Sequence, residues 1–336
     1  MREAKLWTAH PEDMAHCHLC CHFCRIPAGQ RGQCGVRVNQ AGKLYTEAYD
    51  QVAAANIDPV EKKPLYHFLP GTQTFSFGTM GCNLGCSFCQ NYTLSQPPRE
   101  GRPVAGHPAT PGGLVKSALD SGCSSISYTY SEPTIFFELM YDTAGLAQDQ
   151  GLKNIMVSNG FMSPQCLDEL APLIDAANID LKADTEAFYA DVCQAKLAPV
   201  KKNLRRMREL GWWLEVTTLI IPGLNDSAAE LTAMAKFLAD ELGPETPWHL
   251  SRFHPDYKLQ DRPPTPVATL QMAQNIGRQA GLKFVYVGNV PGGEHNATAC
   301  PKCGRTVIER TGFAVRRMDV DHGLCPACRE PIPGRF

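Results

Sequence analysis

Short apolar runs rich in Val, Ile, Phe and Tyr alternate with longer amphipathic stretches through the middle of this chain. The short runs predict strands at Thr74–Gly78, Ser125–Tyr130, Lys153–Val157, Ala176–Lys182, Trp212–Ile221, Trp248–Phe253 and Phe284–Gly288. Helical periodicity falls between them, near 113–121 and over 134–149, 164–174, 186–210, 226–242 and 267–280, with Asn225-Asp226 as the expected cap of the fifth helix. Strands alternating with helices predict a parallel sheet joined by right-handed crossovers. Six such units plus one extra strand give an α/β fold, a partial (β/α)6 TIM-type barrel. Residues 92–112, rich in proline and glycine, read as a long connecting loop.

In parallel α/β barrels the reactive groups sit at the carboxyl ends of the strands. Those ends hold Cys82, Cys86 and Cys89, then Glu132, Ser158 and Asn159, Asp180 and Lys182, His254, and Asn289. Asp180 and Lys182 are two apart and share one strand face, so a carboxylate and an ammonium both enter the barrel and need partners there. They suit either a mutual ion pair or a zwitterionic ligand.

Overall charge narrows the choice of partner. Lys and Arg total 32 against 34 for Asp and Glu, which supplies no basic excess for nucleic acid. The run Lys201–Arg206 reads as the wet face of a helix. No apolar stretch reaches membrane-span length, and Met1–Cys17 has no apolar signal region, so a cytoplasmic location is expected.

Fifteen cysteines in such a chain point to metal, not disulfides. Cys82-Asn-Leu-Gly-Cys86-Ser-Phe-Cys89 offers three thiolates where a closed four-iron cluster takes four. One iron is thereby left open to an outside ligand, as in catalytic metal sites. Gly81 and Gly85 are expected either to let backbone N–H groups approach the cluster sulfurs or to serve as plain turn glycines. Cys300-Pro-Lys-Cys303 and Cys325-Pro-Ala-Cys328 are paired knuckles for a tetrathiolate site, zinc by default and otherwise a single iron or an additional iron–sulfur cluster. Cys17, Cys20, Cys24 and Cys34 form a less regular auxiliary set, with Cys21, His16, His18 and His22 as rival ligands. Cys123, Cys166 and Cys193 read as buried apolar residues. The expected organisation is a metal module at 1–50, the barrel at 51–295 and a zinc-ribbon or rubredoxin-like module at 296–336.

The C-x3-C-x2-C loop, with Phe88 before its third cysteine, resembles the radical S-adenosylmethionine (SAM) superfamily. More specifically, the chain resembles the radical SAM family of AmmeMemoRadiSam systems, related to pyruvate formate-lyase activating enzymes. The matching stretches are Cys34–Arg37, Glu61–Pro70, Cys82–Asn91, Tyr128–Thr134, Glu215–Asp226, Trp248–Asp256 and Gly288–Gly292. One departure is Cys21-His22, where the family commonly has Pro-His.

The resemblance implies a [4Fe–4S] cluster on Cys82, Cys86 and Cys89, with SAM on its free iron. Glu132, Asp180 and Lys182 would hold the amino acid end of SAM; Ser158, Asn159, His254 and Asn289 would meet its ribose or adenine. Reductive cleavage would give a 5′-deoxyadenosyl radical that abstracts hydrogen from a substrate. A reducing electron donor, a Memo-like metalloprotein and an AMMECR-like protein are the implied partners. The rival readings are a glycyl-radical activase and, from another class, a non-catalytic zinc-ribbon or electron-transfer protein.

Overall fold

The computed structural model describes residues 1–290 and 296–336. The expected boundary at 295/296 and the Pro291-Gly292 end of the last matching stretch lie outside the described residues. The core element is an eight-stranded sheet. Its strands are β1 (Ala54–Pro59), β2 (Gln73–Gly78), β3 (Ser125–Tyr128), β4 (Lys153–Ser158), β5 (Ala176–Asp180), β6 (Trp213–Ile220), β7 (Trp248–Arg252) and β8 (Val285–Gly288). From β2 to β8 each strand pairs in parallel with the next in sequence. The sheet order runs β8 to β1 without closing, so the barrel is open. All seven expected strands are present. Beyond them, β1 adds an antiparallel edge on β2, with Ile57 opposite Phe75.

The crossovers carry α1 (Pro111–Asp120), α2 (Phe137–Asp149), α3 (Pro164–Leu170), α4 (Glu186–Cys193), α5 (Leu197–Glu209), α6 (Ala228–Phe237) and α7 (Val267–Gln279). Local chemistry sets their starts. Thr110, Ser163, Thr185 and Ser227 each accept an N–H from the first turn. Helix α5 buries Leu197, Val200, Leu204 and Met207 at helical spacing, each worth about 2 kcal/mol of apolar burial. The basic run faces outward, where Lys201 pairs with Asp184, Arg205 with Glu241 and Arg206 with Asp168.

Two expectations are corrected. The helix read over 186–210 is two helices: α4 stops at Gln194, which takes a left-handed conformation (φ 58°), and α5 restarts at Leu197. Pro199 was the sequence signal, because proline fits the first turn of a helix and not its interior. The cap of α6 is Ser227, not Asn225-Asp226. Asn225 pins the preceding loop instead, accepting from Ile221 N–H and donating to the carbonyls of Lys182 and Leu219.

The N-terminal segment shares the barrel's core. Ala15, Leu19 and Val36 belong to the same buried cluster as Phe136 and Met162. A buried ion pair, Arg37–Glu138, fastens it to α2. The C-terminal segment has a small core of its own around Val307, Ile308 and Ile332, under a three-stranded sheet. Within 92–112, Tyr92–Ser95 is one helical turn and His107–Pro108 pairs with Gln51–Val52.

Candidate metal and cofactor site

The loop after β2 carries Cys82, Cys86 and Cys89 to the carboxyl end of the sheet. Backbone bonds lock it against α4: Gly85 N–H donates to Cys193 C=O (2.9 Å) and Ser87 N–H to Val192 C=O (3.0 Å). Gly81 N–H donates to Leu94 C=O (3.0 Å). The N–H groups of the two glycines themselves are therefore taken by carbonyls. The glycines permit close approach. A Cβ on Gly81 would stand 2.6 Å from Val36, and one on Gly85 2.3 Å from the Gln194 amide. The sulfur contacts come from neighbours: Leu84 N–H donates to Cys82 Sγ (3.3 Å), and Ser95 Oγ lies 3.2 Å from Cys89 Sγ.

Together the three thiols line a cavity of about 220 Å³, with Glu132, Ser158, Asn159, Asp180 and Lys182 in its wall. Six strand ends thus converge here, from β2 to β7, the last through Ser251. Lys182 pairs with Asp180 (2.8 Å) and stands 5.7 Å from the ring of Phe88, which is itself buried against Phe188. Burial opposes the Lys182 charge, but Asp180 and Cys86 outweigh it and raise its pKa.

Glu132 organises the adjacent loop. It receives Thr134 N–H (3.0 Å), Thr134 Oγ1 (2.6 Å), Ser158 Oγ (2.7 Å) and Asn159 N–H (2.9 Å). Burial nonetheless pushes its pKa up. Asn159 donates to Asn83 Oδ1 (2.8 Å) and approaches Cys82 Sγ (3.7 Å). His254 and Asn289 stand apart from this cavity. His254 is exposed and meets Gln90 (2.9 Å), and Asn289 donates to Ser251 (2.9 Å) on a wider cleft. That cleft shares Tyr130, Asp180 and Thr217 with the first cavity, measures about 1500 Å³, and reaches Arg310 and Phe313.

The Radical SAM superfamily model matches residues 77–237, from within β2 to the end of α6. This chain carries a radical SAM domain. It also belongs to one family with an uncharacterized protein of Methanocaldococcus jannaschii, 46% identical over 335 residues and covering 99% of both chains. Two solved structures share the fold. A radical SAM methyltransferase from Sphaerobacter thermophilus has a TM-score of 0.51 at 19% identity, over 67% of this chain and 68% of that one. Streptococcus suis SuiB bound to S-adenosylmethionine has a TM-score of 0.51 at 14% identity, over 69% and 53%. Membership in the superfamily implies a [4Fe–4S] cluster and SAM. The donor set fits them, with three thiols on one cavity wall and a carboxylate–ammonium pair beside it.

One residue of the radical SAM loop's surroundings escaped sequence reading. Cys193, fully buried, neighbours Cys86; its thiol is the leading cause that lowers the Cys86 pKa, with Lys182 also contributing. Cys193 is absent from the cavity wall, so the three-thiol set still faces the cavity. Nothing in its isolated position in the sequence separated it from an ordinary buried cysteine.

Away from the radical SAM loop, Cys300, Cys303, Cys325 and Cys328 bring their sulfurs within 4.8 Å of one another. Cys300 and Cys328 are 3.6 Å apart and Cys303 and Cys325 3.7 Å. Four thiolates around one ion at 2.3 Å have edges of about 3.8 Å, so the set suits a single tetrahedral ion. Beneath it, a second polar group joins this segment to the barrel. Arg310 donates to the carbonyls of Tyr66 (2.6 Å) and Asn296 (3.1 Å) and pairs with Glu61. Glu215 on β6 receives Tyr66 N–H, His67 N–H, Trp213 Nε1 and His249 Nε2. These ties account structurally for the Glu61–Pro70 and Glu215–Asp226 stretches. No helix among the described residues is long and apolar enough to cross a membrane.

Proposed function

We propose that this protein is a radical-generating enzyme in which Cys82, Cys86 and Cys89 hold a [4Fe–4S] cluster and the 220 Å³ cavity receives SAM. The observation that carries the reading is the open three-thiol wall facing the Asp180–Lys182 pair. When bound, the cluster and SAM supply a 5′-deoxyadenosyl radical by reductive cleavage of the C5′–S bond. The protein's own residues bind and orient. Asp180 and Lys182 offer opposite charges to the amino and carboxylate groups of a zwitterion. Glu132 fixes the Ser158–Asn159 turn at the edge of the cavity, leaving those side chains to border the nucleoside. Phe88, backed by Phe188, lies beside Lys182 in the cavity wall.

Hydrogen abstraction from a substrate would occur where this cavity opens into the wider cleft. The cleft's volume favours a substrate larger than a metabolite, such as a peptide segment. Memo-like and AMMECR-like proteins are proposed as partners on the sequence resemblance, and a low-potential electron donor is required by the chemistry. The test is anaerobic reconstitution followed by measurement of 5′-deoxyadenosine, with reductant and SAM, then with candidate peptides and both partner proteins. The reading expects reductant-dependent 5′-deoxyadenosine in the reconstituted protein and none in Cys86→Ala. Equal SAM cleavage by the two would overturn it.

A further inference from the structure

We propose that Cys17, Cys20, Cys24 and Cys34 bind a second [4Fe–4S] cluster, closed by protein thiolates and distinct from the SAM site. The four come together from three pieces of local structure. Cys17 ends a strand and donates its N–H to Cys24 C=O (2.9 Å), closing a loop whose inner turn is Phe23 N–H to Cys20 C=O (3.1 Å). Cys34 arrives on the turn closed by Gly35 N–H to Gly32 C=O (2.9 Å), and a Cβ on Gly32 would stand 3.8 Å from Cys24 Sγ. Cys17, Cys24 and Cys34 all lie close enough to the Cys20 thiol to act on it electrostatically.

The rival ligands face elsewhere. Cys21 Sγ donates to Met162 C=O (3.1 Å) and its charged neighbours are Lys202 and Lys196. His22 bonds Asn83 C=O (2.7 Å), and His18 bonds Thr8 and lies against His16. This settles the ambiguity left by the Cys21-His22 departure: the set is four thiols.

Two observations select a cluster over a single ion. First, among the described residues only the C-terminal cysteines bring three or more sulfurs within 4.8 Å of one another; the N-terminal four stand wider, as thiolates on separate irons must. Second, a buried cation is supplied. Arg37 is 1% exposed, and its Nη1 points at Cys17 Sγ (3.5 Å) while its Nε has no partner. Arg37 also donates to Lys5 C=O (2.8 Å) and pairs with Glu138, and the N–H it leaves unpartnered, kept out of water, favours further anionic surroundings. Four thiolates on a cluster meet that need. The site also abuts the radical SAM loop, for Gly81 is held against Val36 and the Cys34 carbonyl. With every iron capped, such a cluster has no open position and exchanges electrons only.

The test uses the full chain carrying Cys82→Ala, Cys86→Ala and Cys89→Ala, isolated and reconstituted without oxygen. It should retain about four iron and four sulfide per chain, with a cubane Mössbauer spectrum and a dithionite-reduced EPR signal that SAM leaves unchanged. Absence of sulfide, or a second equivalent of zinc per chain, would overturn the proposal. The complementary variant, with Cys17, Cys20, Cys24 and Cys34 all changed to Ser, should lose about four iron and keep the SAM-perturbed signal. If that variant fails to fold, the triple variant still decides. A triple variant that keeps its cubane while the intact protein fails to cleave SAM would sink the proposed function and leave this site standing.

Discussion

Cys193, at the end of α4, sets its buried thiol beside that of Cys86, the one deeply buried thiol of the cysteine loop, while its carbonyl receives Gly85 N–H (2.9 Å). One residue thus stands against both the backbone and a sulfur of the loop. Hydrogen bonds to ligand sulfurs raise a cluster's reduction potential. Cys193→Ala is expected to keep the cluster, shift its potential downward and slow SAM cleavage. A redox titration followed by EPR checks this. An unchanged potential would reduce Cys193 to packing.

Lys182 and Asp180 present the charge pair at the cavity wall. A charge-assisted contact is worth enough that Lys182→Ala should weaken SAM binding about 10- to 100-fold. Iron content should stay the same. SAM titration of the reduced EPR signal measures the change directly, and unaltered binding would mean that the pair serves only itself.

Glu132 answers four donors in a buried setting. Glu132→Ala leaves those donors without acceptors and should cost on the order of 3 kcal/mol in unfolding free energy. Glu132→Gln, which keeps an acceptor oxygen, should cost less. Urea unfolding of the two variants ranks them.

His67 is buried, with Nδ1–H donating to Pro333 C=O (2.7 Å) and Nε2 accepting from Tyr286 Oη (2.6 Å). Burial, the leading cause, lowers its pKa to about 4. The folded state therefore binds this proton less readily than the unfolded chain, whose histidine titrates near about 6.5. The contribution is fully present above that value and is lost as pH falls toward 4, by up to about 3 kcal/mol. Stability should decline between pH 6.5 and 4.5, and His67→Gln should flatten that slope. An identical slope in the variant would place the proton elsewhere.

The C-terminal segment buries few apolar side chains, so a metal on its four cysteines would carry folding energy. Cys303→Ala should lose one metal equivalent and the protection of amide hydrogens over 298–318, with the barrel still folded. Elemental analysis and hydrogen exchange together report it. Full protection without metal would show that Arg310 and its carbonyl partners suffice.

Much of this architecture is legible along the chain. The seven parallel strands and their crossover helices show as runs of matching period, because a strand buried on both faces must be apolar throughout and a surface helix must carry a stripe. The three-cysteine loop and each C-x2-C knuckle are likewise local, so spacing alone brings the sulfurs within each near one another, whereas the two knuckles meet only through the folding of the segment between Cys303 and Cys325. The break between α4 and α5 does not show in the periodicity, and Pro199, which fits only the first turn of a helix, is its local mark.

The remainder depended on contacts between distant residues. Cys193 meets Cys86, Arg37 meets Cys17 and Glu138, and Glu132 meets Ser158 and Asn159 across separations that carry no local pattern. The fusion of the N-terminal cysteines to the barrel core was decided by packing, and the proposed choice among five thiols and three histidines rests on side-chain direction. Periodicity along a chain encodes which face is apolar, whereas the partner each buried polar group finds is set only when the elements pack and water is excluded.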